Sequence, residues 1–186
     1  MPDGFPHGNT LFVRPMVRLS WQLRRAISNI VKREFGFSTV FLSMLKPPKH
    51  YFLSDKGAYD GDRLLTLIDR IFEPEKGYLA LGIIFEKLYS PLNKRGAGGL
   101  AFIGSRSMII TLFNFPNAAS GKLTARDLVL LHNLLCHETY HIYGNKHCDG
   151  PDCIMKLRPY ISLRRQELCA KCAAKFAKNR AKRNSP

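Results

Sequence analysis

Nothing constrains this chain more than residues 137 to 155, where metal-ligand residue types fall at metal-ligand spacings. The stretch runs His137-Glu138-Thr139-Tyr140-His141-Ile142-Tyr143-Gly144-Asn145-Lys146-His147-Cys148 and closes with Cys153-Ile154-Met155. On a helix His137 and His141 are one turn apart on the same face, so both imidazoles can reach a single ion. Glu138 lies beside them, where it can act as general base on water. Gly144 can take the left-handed backbone that ends a helix and turns the chain back. That return makes His147 the third ligand and leaves an open, catalytic type of site. A bare H-E-x-x-H is often accidental, but this one has a helical run before it and the glycine and third histidine after it. His7, His50 and His132 lack that context and read as surface or internally satisfied histidines.

Cysteines make a second constellation. All five lie between Cys136 and Cys172, with none in the first 135 residues. A disulfide framework would be spread along a small secreted chain, whereas this clustering suits metal ligation in a reducing compartment. Cys148, Cys153, Cys169 and Cys172 have the spacing of a Cys₄ structural zinc site. A redox pair at Cys169 and Cys172, or simply buried thiols, are the competing readings. Cys136 is left for the core.

The remaining chain supplies a scaffold. Residues 1 to 9 read as a loose lead-in and Leu11 to Val13 as a strand. Ser20 can cap a helix from Trp21 to about Glu34, stopped by Gly36, and Ser38 to Leu42 is β-branched and aromatic. After a polar loop through Gly57, Asp60 or Asp62 can cap a second helix whose apolar face is Leu64, Leu65, Leu67, Ile68 and Ile71, closed by Pro74 and Gly77. Tyr78 to Phe85 is continuously apolar, as a strand covered on both faces would be. Pro91 to Gly99 reads as a basic, glycine-rich loop, with strands at Leu100 to Ile103 and Met108 to Phe113. Beyond Pro116, Thr124 with Asp127 opens a long helix, with Leu128, Leu131, Leu134 and Leu135 facing inward, that runs into His137. The alternation implies right-handed crossovers, a largely parallel sheet and an antiparallel strand near Gly104.

Charge leaves a second function class open. The formal net charge is +15, and after Cys153 there are ten Lys or Arg against one acid, Glu167. A basic arm of that kind could bind nucleic acid or an acidic partner, although in its final basic tract, Lys175 to Arg183, Phe176 is the only aromatic for bases to stack on. No secretory signal or membrane-length apolar run is evident, so a soluble, cytoplasmic protein is expected, as a monomer and without membrane partners.

These residues resemble the archaemetzincins, a branch of the metzincin metallopeptidases. The family hallmark H-E-x-x-H-x-x-G-x-x-H-C, four residues, C-x-M and a distal C-x-x-C is matched by His137 to Cys148, Cys153-Ile154-Met155 and Cys169-Ala170-Lys171-Cys172. Ala58-Tyr59-Asp60 with Arg63, Leu88 to Pro91, and Gly98 to Ile110 also look like the family. The resemblance implies a metzincin-type α/β domain: a twisted, mixed five-stranded sheet with one antiparallel edge strand lining the cleft, backed by two helices. It implies one domain over residues 1–186, with an upper subdomain 10–144, a zinc-bound lower subdomain 145–178 and a basic tail 179–186. Two zinc ions, a peptide substrate and aminopeptidase or short-peptide hydrolase activity are the implied chemistry. Met155 would be the Met-turn residue beneath the histidines. The chain departs from the family in a shorter loop, Lys156 to Leu168, in bulkier residues at Thr139-Tyr140 and Ile142-Tyr143, and in Leu157 where some metzincins have a tyrosine.

Overall fold

The computed structural model describes residues 9–72, 78–115, 117–118, 121–157 and 163–184, so the lead-in to residue 8, His7, Pro74, Gly77 and Pro116 lie outside the described residues. The elements run β1 (Thr10–Pro15), α1 (Trp21–Phe35), β2 (Ser38–Phe41), β3 (Phe52–Leu53), β4 (Ala58–Asp60), α2 (Gly61–Phe72) and β5 (Leu79–Ile84). There follow β6 (Leu88–Ser90), β7 (Arg95–Ala97), β8 (Gly99–Ala101), β9 (Ser107–Thr111), α3 (Ala125–Ile142) and α4 (Ala170–Asn184).

Helix boundaries follow local chemistry. Ser20 Oγ accepts the Leu23 N–H at 3.3 Å to start α1. The Asp60 carboxylate accepts the Arg63 N–H at 3.0 Å to start α2. Thr124 and Asp127 form a reciprocal capping box at the head of α3.

The main sheet has the order β2-β1-β5-β9-β8. All pairs are parallel except β8 against β9, so β8 is the expected antiparallel edge strand. Leu81, Ile83, Met108 and Ile110 point to one face, where α1 and α3 supply Leu23, Ile27, Leu131 and Leu135. These are the two backing helices. The alternate residues Ala80, Ile84 and Ile109 meet Leu64, Leu65 and Ile68 of α2 on the other face. Coverage on both faces explains why every residue of β5 is buried. Each fully buried Leu or Ile contributes roughly 1.5–3 kcal/mol.

Three details differ from the sequence reading. The segments read as loops contain a second sheet, β3-β4-β6-β7, made of strands only two or three residues long. The expected strand at Leu100 to Ile103 is shifted to Gly99–Ala101, which leaves Phe102 and Ile103 outside it. Ile71 and Leu128, placed on apolar faces by periodicity, are exposed. No helix among the described residues is long and apolar enough to cross a membrane.

Candidate metal centre

The last two turns of α3 carry His137, Glu138 and His141 onto the floor of a cleft. His137 Nε2 and His141 Nε2 are 3.0 Å apart. At Gly144 the backbone is left-handed, φ 86°, and the Gly144 N–H closes on the His141 carbonyl at 2.8 Å. The reversal brings His147 over the other two, and one ring nitrogen from each of the three lies within 4.8 Å of the others. The far nitrogens are occupied. His137 Nδ1–H donates to the Ile154 carbonyl and His141 Nδ1–H to the Asn145 carbonyl, both at 2.7 Å. Those bonds fix the tautomer that leaves each Nε2 lone pair facing the cleft, as metal ligation requires.

Burial keeps this cluster neutral. Burial, reinforced by the neighbouring imidazoles, pulls His137 down to about 3 and His141 to about 4. Burial pushes the Glu138 carboxyl up to about 8, partly offset by the Arg95 guanidinium. Neutral imidazoles are the ligating form.

Edge strand β8 passes directly over Glu138. A Cβ on Gly99 would stand 2.7 Å from Glu138 Cγ and Oε1, so any larger residue there has to displace the Glu138 side chain. The cleft, about 250 Å³, is walled by β7 and β8 on one side and by His147 and Leu157 on the other.

The four cysteines Cys148, Cys153, Cys169 and Cys172 converge below, with their sulfurs within 4.8 Å of one another. All are free thiols. The Cys148 and Cys153 sulfurs each accept a backbone N–H, from Gly150 and Cys169, both at 3.4 Å. Burial pushes the Cys153 and Cys172 thiols up, whereas a backbone bond from Cys172 and bonds within the cluster pull Cys169 down to about 7. Such donors stabilise thiolates, the ligating form of cysteine.

Sequence reasoning missed the residue that ties the two clusters together. Asn145 is buried; its carbonyl holds His141, and its side chain donates to the Cys172 carbonyl at 2.9 Å. A parallel tie runs through Cys148 N–H to the Met155 carbonyl at 2.9 Å, next to the Ile154 carbonyl that holds His137. Met155 is completely buried in the main core. Asparagine after glycine looks like part of a turn, so nothing local signals this role.

A third group, Glu34, His132 and Cys136, also lies within metal-binding reach. Arg165 fills it instead: its Nε donates to His132 Nε2 at 3.1 Å and its Nη2 meets Glu34 at 2.7 Å. His132 is therefore internally satisfied, Cys136 is core, and His50 is exposed.

No family model matches the chain. Among characterised proteins it is 30% identical over 135 residues to an archaemetzincin of Pyrococcus abyssi, covering 66% of this chain and 71% of that protein. It is 24% identical over 156 residues to an archaemetzincin of Pyrococcus horikoshii, covering 80% and 82%. The crystal structure of an archaemetzincin from Methanopyrus kandleri superposes with a TM-score of 0.71 at 20% identity, over 92% of this chain and 95% of that one. A zinc-dependent peptidase from Methanocorpusculum labreanum does so with a TM-score of 0.67 at 22% identity, over 91% and 100%. At those identities the structural likeness is one of fold.

Proposed function

The chain belongs to the archaemetzincin family, and on that footing we propose that it is a zinc-dependent peptidase, an aminopeptidase or short-peptide hydrolase that uses Glu138 as general base and acid. The observation that carries this reading is the placement of Glu138 beside three mutually accessible histidine nitrogens in an open cleft. His137, His141 and His147 would hold the catalytic zinc. Cys148, Cys153, Cys169 and Cys172 would hold a second, structural one, giving two per chain. The donor sets fit, since neutral imidazoles with backbone-anchored Nδ1 and thiols receiving N–H bonds are what zinc selects. When bound, zinc supplies Lewis acidity to a carbonyl and acidifies water.

The protein's own part is orientation and proton transfer. A peptide can pair its main chain with the free edge of β8, which lays its carbonyls across the histidines. Glu138, fixed under Gly99, takes a proton from the attacking water and returns it to the leaving amine. Glu138→Ala is expected to keep both metals by elemental analysis and to lose about 100- to 10,000-fold in peptide turnover. Full activity in that variant removes Glu138 from the mechanism, and metal-independent cleavage by the parent removes the zinc reading.

A further inference from the structure

Arg95 opens β7 opposite Ser90 of β6 and lines the same cleft as His137 and Glu138. The hairpin that carries it is tightly pinned. Asp62, at the start of α2, accepts Ser90 Oγ and the Leu92 N–H at 3.0 Å. Ser90 Oγ in turn accepts the Asn93 N–H and side-chain amide at 3.1 and 2.9 Å, and Lys94 turns the chain with φ 51°. The backbone that carries the arginine is thus held in place before any ligand arrives.

Arg95 is half-buried as a residue, and among the described residues no carboxylate lies within ion-pair distance of its guanidinium. The acids on neighbouring elements are engaged elsewhere: Asp62 with the hairpin turn, and Asp60 with Arg63 at 3.5 Å. Glu138, whose carboxyl feels the guanidinium across the cleft, lies on the floor under Gly99 and outside ion-pair distance. The cleft wall continues from Arg95 through Gly96, Ala97, Gly98 and Gly99, all small residues. Among the described residues of the cleft, Arg95 is the only lysine or arginine, and Leu157 opposite is aliphatic.

A guanidinium without an ion-pair partner among the described residues is an open fork of donors suited to a carboxylate. A cleft of about 250 Å³ holds little more than a short stretch of peptide, so what lies over Glu138 also lies beside Arg95. We propose that Arg95 is a specificity-determining residue that binds a carboxylate of the substrate peptide, so that the cleft selects peptides with a carboxylate close to the scissile bond. The inference rests on the peptidase reading above and adds a substrate class to it. The carboxylate can come from an acidic side chain or from the peptide's own C-terminus.

The test is peptide binding to zinc-loaded Glu138→Ala protein, which separates recognition from turnover. Three otherwise identical labelled peptides are compared by fluorescence anisotropy: one neutral and amidated, one amidated with a glutamate, one neutral with a free C-terminus. One or both carboxylate peptides should bind about tenfold tighter than the neutral one, the scale of a charge-assisted bond. Adding Arg95→Gln should erase that ratio. Arg95→Glu should reverse it in favour of a lysine peptide, and Lys94→Gln in the exposed turn should leave it intact. Which carboxylate peptide responds names the source. A preference that survives Arg95→Gln, with zinc content and melting unchanged, assigns the carboxylate to the metal and overturns the proposal; so does the absence of any preference. Arg95-dependent binding in a parent chain that cleaves no peptide would sink the peptidase reading while leaving this one standing.

Discussion

Glu138 is the residue on which the proposed chemistry depends, and its surroundings make two measurable claims. The first concerns clearance. Because Gly99 leaves no room for a methyl group, Gly99→Ala must push the Glu138 side chain aside. Overpacking of this kind costs about 1–3 kcal/mol, and a displacement approaching 1 Å costs about 100-fold in turnover. Gly99→Ala should therefore remain folded and metal-loaded while its kcat collapses; a variant with parental kcat would show that Glu138 is free to move. The second concerns protons. With zinc chelated, burial raises Glu138 from 4.5 to about 8, so its contribution to stability is complete below pH 4.5 and is lost as pH rises towards 8. His137 and His141 are shifted the other way, from 6.5 to about 3 and about 4; their contribution is complete above pH 6.5 and is lost as pH falls. Above pH 6.5 the two histidines are neutral in both states, which leaves Glu138 to set the site's slope. Cys169, held at about 7 and also freed by the chelator, titrates in the opposite sense, so the effect is read as a difference: between pH 6.5 and 8 the chelated parent should lose melting temperature relative to chelated Glu138→Gln.

Helix α3 and the segment after it show what spacing alone can and cannot convey. His137, Glu138, His141 and Gly144 were legible because helix periodicity converts sequence distance directly into a shared face and a stop. The four cysteines were legible as a cluster for the same reason, since paired ligands at short spacing need little tertiary context. The parts that hold those ligands were not. The carbonyls of Ile154 and Asn145 have no side-chain signature, and the roles of Asn145 and Arg95 depend on contacts with other elements. The second sheet escaped notice because strands of two or three residues carry too few alternations to register, and its turn is organised by Asp62, some 30 residues away. Asn145 is the point at which this hidden layer can be tested. Asn145→Ala keeps the carbonyl that holds His141 but strips the buried Cys172 carbonyl of its donor, at about 1–3 kcal/mol. Titration with a competing chelator should show both metals released more readily than from the parent. Release confined to one site would mean that the clusters are independent.

Over the whole molecule, the formal charge of +15 raises the question of whether the C-terminal basic segment is an arm for nucleic acid or part of the domain. The packing of α4 favours the domain. Phe176, the one aromatic of α4, is turned inward against Tyr140 and Tyr143, with ring centroids 4.9 and 5.1 Å away. Arg180 donates to the Phe35 carbonyl and Asn179 to the Tyr143 carbonyl, both at 2.7 Å, so α4 covers the ends of α1 and α3. Lys171, Lys175, Lys178 and Lys182 are left exposed as a solvated stripe. Ending the chain at Ala174 keeps all four cluster cysteines but removes Phe176, Asn179 and Arg180. The lost aromatic packing and the two unpaired carbonyls should cost about 3 kcal/mol, or roughly 10 °C in melting temperature for a domain of this size. Because those carbonyls sit at the end of α1 and one residue beyond α3, the truncated chain should also hold its histidine-site metal more weakly. A truncated protein that melts and binds zinc like the parent would mark the segment as a detachable arm, and salt-dependent binding to nucleic acid that vanished with it would then identify what the arm is for.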